Sequence, residues 1–424
     1  MNQLIYDCYL AILKSELVVA LGCTEPIAIA YAAAKAREVL GEFPEHCKVS
    51  CSGNIVKNVK GVTVPNSGGE KGIVIAATLG IVGGDPAKEM AVLESVTDAD
   101  RIKAKELASS DFCQCELIEG VENLYIIVEL ATKAHMARVE IKNYHTNITC
   151  IEKDGEILYT NKEEKESVSA TPDKTLLNVK DILAFADEVR MEDIEATLSR
   201  QIEMNTLLAE EGLRVPYGAQ VGQTLLREYP ADDVRIKAIA YAAAGSDARM
   251  SGCPMGAVIN SGSGNQGITV TMPLVKYAEE CHASKEKLYR ALIVANLIAI
   301  HQKRYIGSLS AYCGAVSAAC GSASGIAYML GYDYSVIADQ ITNTIATIDG
   351  MVCDGAKPSC AAKISAAVNA ALLGLQLAID HQSFKSGEGI VKNDVESTIQ
   401  SVGRMGRVGM KSTDVEILNI MLDH

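Results

Sequence analysis

The sequence has no Trp and only four Phe, and aromatic residues make up 5% of its 424 positions. So small an aromatic supply argues against a stacking platform for single-stranded nucleic acid. Basic residues are also in the minority: 39 Lys and Arg stand against 53 Asp and Glu, a formal net charge of −14. Phosphate backbones and anionic membranes recruit clustered Lys and Arg, so neither nucleic acid nor a membrane surface is an expected partner. No apolar run reaches the roughly 20 residues of a bilayer span. The longest are 291–300 and 364–379, and Asn369 and Gln376 interrupt the second. Asp7, Lys14 and Glu16 break the N-terminal run, so it does not read as a secretory signal. C-x-x-C and H-x-x-x-H pairs are both missing, which removes the commonest zinc spacings.

What the chain does have is cysteine. There are 13, an odd number in a long sequence without an export signal. That pattern favours reduced thiols and a cytoplasmic location over a disulfide framework. A hydrophobic fraction of 48% excludes disorder. The length suits roughly two or three domains. Any single Cys is by default a small buried hydrophobe. The question is which of them have another role.

Leu4, Leu10, Leu13, Leu17 and Val18 recur at helical spacing. After a break at Gly22-Cys23-Thr24-Glu25-Pro26, the Ala-rich stretch 27–40 is again helical, and Pro26 suits its first turn. From about residue 45 alternation takes over. Segments 48–52, 61–64, 121–130 and 137–147 read as strands, and 149–160 as a hairpin turning at Asp154-Gly155. Helices are expected between them, at 72–81 and 87–96. The charged stretch 161–172 is the best boundary. Beyond it nearly everything reads as helix, at 179–188, 191–213, 234–245, 274–281, 285–299, 335–346 and 363–381. The expected class is α+β. A mainly α-helical catalytic domain, built from N-terminal helices (1–44) and the C-terminal half (173–424), carries an inserted mixed α+β domain at 45–165.

Two Cys-bearing turns rich in small residues stand out. One is Tyr312-Cys313-Gly314-Ala315-Val316 running on to Cys320-Gly321. The other is Met351-Val352-Cys353-Asp354-Gly355-Ala356-Lys357-Pro358-Ser359-Cys360. Gly350, Gly355 and Pro358 disfavour a regular helix, so such a loop can turn thiolates and N–H groups toward one centre. Thiolates suit zinc or iron–sulfur clusters, while buried structural thiols are the ordinary alternative. The loop Ser261-Gly262-Ser263-Gly264-Asn265-Gln266-Gly267 could hold a carboxylate or a phosphate. It lacks the Gly-Lys-Ser/Thr of a phosphate loop, and a plain helix-connecting turn fits it equally. Ser52-Gly53-Asn54-Ile55-Val56-Lys57-Asn58 also mixes glycine, amides and a Lys, where an exposed turn is the ordinary reading. Cys47, Cys51, Cys113, Cys115, Cys8, Cys150 and Cys281 read as structural. His301 reads as a proton carrier or, more simply, as a satisfied buried His.

Taken together, Leu21-Gly22-Cys23-Thr24-Glu25-Pro26, the 52–58 and 261–267 segments, Cys313-Gly314-Ala315-Val316 and Met351 to Cys360 resemble the iron–sulfur L-cysteine desulfidase family, related to the α chain of bacterial L-serine dehydratase. The resemblance covers nearly the whole chain, to Gly406-Arg407-Val408-Gly409-Met410-Lys411. It implies that L-cysteine and water become pyruvate, ammonia and hydrogen sulfide. It also implies a 4Fe–4S cluster, held by three thiolates with one iron open, and no pyridoxal phosphate. Cys313, Cys353 and Cys360 match the cluster motifs of the dehydratases, although the 353–360 spacing is shorter than theirs. Cys23 lies in a motif of the desulfidase set, so Cys23 and Cys360 compete for the third ligand place, and Cys23 is also a candidate base. From the chemistry, Ser261, Ser263, Asn265 and Gln266 would hold the substrate. Asn54, Lys57 and Asn58 would reach the same site, with Lys57 a candidate base if desolvated.

Rival readings remain at this point. L-Serine dehydration would use the same cluster. A non-catalytic iron–sulfur sensor would need the thiols but not the polar loops. A pyridoxal-phosphate dehydratase would need a Schiff-base Lys, for which Lys237 has the right distance but a helical setting. The partner is a small amino acid, and base rates for soluble enzymes favour a homodimer.

Overall fold

A computed structural model describes residues 1–161, 172–230, 232–307 and 309–423. The proposed boundary stretch falls largely outside the described residues.

The chain opens with α1 (Gln3–Glu16), a short strand β1 (Val19–Leu21) and α2 (Thr24–Leu40). β2 (His46–Ser52) runs directly into α3 (Gly53–Lys60), followed by α4 (Ile73–Gly83) and α5 (Asp98–Ala108). Then come β3 (Cys113–Ile118), β4 (Tyr125–Ala131), β5 (Met136–Lys142), β6 (Ile148–Lys153) and β7 (Glu156–Thr160). These form a six-stranded sheet of order β3-β2-β4-β5-β6-β7. Only the β2–β3 pair is parallel. Asp154 and Gly155 both have positive φ, 52° and 83°, the geometry a two-residue hairpin demands. Segment 61–64, which alternates like a strand, makes only an isolated bridge from Thr63 to Lys71.

The second half holds α6 (Val179–Glu188), α7 (Glu195–Arg214), α8 (Val221–Glu228), α9 (Val234–Met250), the short strand β8 (Gly256–Val258) and α10 (Gly264–Glu280). It continues with α11 (Lys285–Ile306), α12 (Gly314–Leu330), α13 (Tyr334–Thr347), α14 (Cys360–Ile379), α15 (Val395–Arg404) and α16 (Lys411–Leu422). The expected class is borne out: mostly helix, with a mixed sheet set into the first half. The all-helical expectation beyond 173 needs one correction, because β8 pairs antiparallel with β1.

Two apolar cores divide the packing. The N-terminal helices do not both join the helical body. In α1, Tyr9, Ile12 and Leu13 pack among the helices of the second half. Tyr9 meets Phe185 edge-on at 5.5 Å between centroids and donates its hydroxyl to the Leu176 carbonyl at 2.8 Å. In α2, Ile27, Ile29 and Leu40 pack instead with β2, β4 and β5 in the sheet core. Its Ala run lets α4 lie close against it.

Among the described residues, α14 is the one helix long and apolar enough to cross a membrane. It packs against α9, α12 and α13 and buries Ile364, Val368 and Leu372 in the helical core. His301 belongs to this scaffold. Its ring lies 2.6 Å from Glu396 Oε2 and accepts from Arg304 Nε at 3.2 Å, tying α11 to α15. Burial opposes ionisation of Glu396, but His301 outweighs it and holds the carboxyl below its ordinary value.

Candidate active site

Antiparallel pairing of Val19 with Val258 and Leu21 with Gly256 sets the Cys23 turn beside the 261–267 loop. A second small ladder does the same for the two Cys-bearing turns. Tyr312 bridges Val352, the Cys313 N–H donates to the Met351 carbonyl at 3.0 Å, and the Cys353 N–H donates to Ala311 at 2.6 Å. The result is one cavity of about 550 Å³ on whose wall Cys23, Cys313, Cys353 and Cys360 all appear.

Four helices start at this wall. The N-caps of α2, α10, α12 and α14 are Cys23, Ser263, Cys313 and Ser359, and none caps its helix with a side-chain hydrogen bond. Their positive dipole ends meet at this wall, each equivalent to roughly half a positive charge. An anionic occupant is therefore favoured before any side chain is counted.

The four thiols divide into three and one. Cys353 raises the titration of both Cys313 and Cys360 by charge, after burial, which is the main cause in each. Burial pushes Cys313 up to about 12. Cys23 belongs to a small cluster with Val62 and Met250, against which Cys360 also packs, but its thiol is engaged elsewhere. It donates to Glu25 Oε2 at 3.1 Å, and burial followed by the Glu25 charge pushes it well above its ordinary value. A thiol held that firmly protonated is not available to accept a proton. The cluster loop turns at Gly355, whose φ is 92° and whose missing Cβ would lie 2.3 Å from the Lys57 carbonyl oxygen, so only glycine fits.

The polar residues sort similarly. Asn58 Nδ2 donates to Glu25 Oε1 at 3.0 Å, and the Thr24 hydroxyl stands 3.0 Å from Oε2. Burial opposes the charge on Glu25, but His145 and the Cys23 thiol outweigh it and pull the carboxyl below its usual range. His145 Nε2 is 4.0 Å from Oε1. Ser261, Ser263, Asn265 and Gln266 all line the cavity. The Ser261 hydroxyl is engaged with Asn260 Oδ1 at 2.9 Å, while Gln266 Oε1 is buried without a partner.

Lys57 and Asn54 are placed elsewhere. Both bind Asp414 on α16, Asn54 Nδ2 at 2.8 Å and Lys57 through a buried ion pair. Successive residues on a helix diverge by about 100°. Lys57 and Asn58 therefore cannot serve one site, and the cavity takes Asn58.

Two cations not foreseen from the sequence complete the wall. Arg249, 3% exposed, donates from Nη1 to Asn265 Oδ1 at 3.2 Å, and its Nε is buried and unpartnered. Gly264 makes room for it: a Cβ there would sit 2.3 Å from that Nε. Lys303, 6% exposed, has neither an ion pair nor a hydrogen bond from its side chain among the described residues. Burial lowers it to about 8, against the pull of Cys353 and Cys313.

Residues 87–419 match the family described as Serine dehydratase alpha chain. The chain is also 49% identical over 418 residues to a UPF0597 protein of Desulfitobacterium hafniense, covering 99% of this chain and 97% of that one. The chain belongs to the UPF0597 family. A second UPF0597 protein, from Lachnoclostridium phytofermentans, is 49% identical over 418 residues, covering 99% of this chain and all of the relative. A third, from Fusobacterium nucleatum, is 42% identical over 417 residues, covering 97% and 98%. The serine dehydratase alpha match contains Cys313, Cys353, Cys360, Arg249 and Lys303. It begins after Cys23, Glu25 and Asn58, which the UPF0597 chain brings to the same cavity from its N-terminal part.

Serine dehydratase alpha chains are in general iron–sulfur dependent. The donor set fits such a group. Among the described residues no three His, Cys, Asp or Glu close tightly enough to hold a single metal ion. Three thiols, Cys313, Cys353 and Cys360, do share one wall, and thiolates are the donor type that holds iron–sulfur clusters.

Proposed function

We propose that this protein is an L-cysteine desulfidase, converting L-cysteine and water to pyruvate, ammonia and hydrogen sulfide. The observation that carries the reading is the gathering of Cys313, Cys353 and Cys360 in one cavity with the buried cations Arg249 and Lys303, neither in an ion pair among the described residues. Cys313, Cys353 and Cys360 would hold a 4Fe–4S cluster, the third chosen over Cys23 because Cys23 is turned to Glu25. When bound, such a cluster supplies an open iron as Lewis acid for the substrate sulfur.

The chain's own residues account for the rest. Arg249, on the cavity wall, binds the substrate carboxylate through its guanidinium, steadied by Asn265. Gln266 and Ser263 offer polar contacts on the same side. Lys303 Nζ, which burial lowers to about 8, takes the α-proton in its neutral form. Loss of hydrosulfide leaves aminoacrylate, which tautomerises and is hydrolysed to pyruvate and ammonia. Glu25 is held ionised, so it is no acid for a departing hydroxide. Hydrosulfide needs no such acid, which supports cysteine over serine.

L-Serine dehydration is the second reading, favoured by the serine dehydratase alpha match. After anaerobic reconstitution with iron and sulfide, pyruvate from L-cysteine is expected to outpace pyruvate from L-serine. Faster turnover of serine overturns the desulfidase reading and leaves the dehydratase. Arg249→Met is expected to raise KM for L-cysteine by about 10²-fold, the scale for losing one partner of a buried charge pair. Arg249→Lys should recover part of that loss. An unchanged KM in Arg249→Met removes Arg249 from carboxylate binding.

A further inference from the structure

A second group of thiols lies away from the cavity, on the sheet. In the parallel β2–β3 pair, Cys47 stands opposite Cys113, and their Sγ atoms are 3.4 Å apart. Side chains alternate along a strand, so Cys51 and Cys115 fall on the same face as these two. Cys47 is buried, Cys113 is half-buried, and Cys115 is exposed. β3 is the edge strand of the sheet, and Cys113, packed against the margin of the sheet core, keeps partial exposure.

The geometry allows a bond. Neighbouring strands are about 4.8 Å apart, inside the Cα separation a disulfide tolerates. Closing the thiols from contact to bond needs rotation of the two side chains and no change of strand register.

We propose that Cys47 and Cys113 are a redox-active thiol pair, convertible to an intrachain disulfide by small-molecule disulfides. The Cys113 thiolate attacks the disulfide RSSR, forms Cys113–S–SR and releases RS⁻. The Cys47 thiolate then attacks the Cys113 sulfur, forms the Cys47–Cys113 bond and releases the second RS⁻. The two protein protons end on the two released thiols. The protein pair is oxidised and RSSR is reduced to two RSH. Cys115 draws the Cys113 thiol down by hydrogen bonding, but Cys47 and burial outweigh it and push it up. The pair therefore rests as thiols, and exchange is slow unless the disulfide is in excess. Nothing here rests on the reaction proposed for the cavity.

The test uses the full chain, purified anaerobically and incubated with excess oxidised glutathione. Free thiols are then alkylated, and the protein is digested and mapped by mass spectrometry. The expected result is a Cys47–Cys113 linked peptide in most molecules, removed by dithiothreitol. Cys47→Ser should instead trap a glutathione adduct on Cys113. Near-complete alkylation of both Cys47 and Cys113, while exposed Cys281 carries glutathione, overturns the proposal. So does a bond between Cys113 and Cys115 in place of the expected one. Wild-type mapping decides the matter even if a variant fails to fold.

Discussion

Cys353→Ala is expected to give a colourless protein with far less iron than the wild type and pyruvate formation lowered by roughly 10³-fold or more. The charge of Cys353 is felt by both Cys313 and Cys360, and Cys313 also feels Cys360. Removing Cys353 leaves two thiols where the proposed cluster takes three. Iron and acid-labile sulfide per chain, measured after anaerobic reconstitution, check this directly. A full cluster in Cys353→Ala would falsify the ligand assignment. The same assay separates the competing third ligands. Cys360→Ala should lose iron, whereas Cys23→Ala should keep it and lose activity only through the disturbed Glu25 environment. Retained iron in Cys360→Ala together with lost iron in Cys23→Ala reverses that choice.

Lys303→Met should keep its cluster but lower kcat by about 10²- to 10⁴-fold, the usual reach of a positioned base. Met preserves most of the buried stem, so packing along α11 is little changed. The readout that distinguishes a proton carrier from a packing residue is α-hydrogen exchange. With wild-type protein in deuterated water, recovered L-cysteine should gain α-deuterium, and in Lys303→Met it should not. Exchange that persists in the variant assigns the proton to another group. Cys23, hydrogen-bonded and firmly protonated, is the next to test.

Much of the fold is legible in the sequence, because burial writes itself as a period where only one face is covered. β4 and β5 alternate, the Asp154-Gly155 turn marks the β6–β7 hairpin, and α6 and α13 show apolar stripes. α12 hides for the opposite reason. Nearly all of its residues from Ala315 to Met329 are buried, so no stripe contrasts with a polar face, and its Gly, Ala and Ser read as a turn. The start of α10 hides in the Gly- and Ser-rich loop, which is a helix N-terminus and not only a connector. β3 escapes notice because it is a half-exposed edge whose cysteines look like isolated thiols.

The site divides along similar lines. Its thiols and the 261–267 loop can be picked out because Gly, Pro and Asp mark backbone that leaves regular structure. Arg249 and Lys303 cannot. Each is a basic residue in the last turn of its helix, where Lys and Arg ordinarily meet water and the helix dipole. Only the tertiary packing reveals that these two helix ends are buried against a cavity. Lys57 shows the converse error. Its neighbours look like a binding loop, yet the segment is helical and turns the ammonium toward Asp414.

The bridge between Tyr312 and Val352 also bears on how the centre is assembled. Many small metal domains fold only as the ion arrives, because nothing else closes the loops that carry the ligands. Here the long segment between Cys313 and Cys353 is closed by the packing of α12 and α13 and by backbone hydrogen bonds. The entropy of bringing the two thiols together is met by the protein itself. On the proposed function, iron and sulfide would thus be delivered to a folded receptor. An oxidised, emptied chain would keep the shape needed to be filled again, which would make repair a matter of cofactor supply and not of new synthesis.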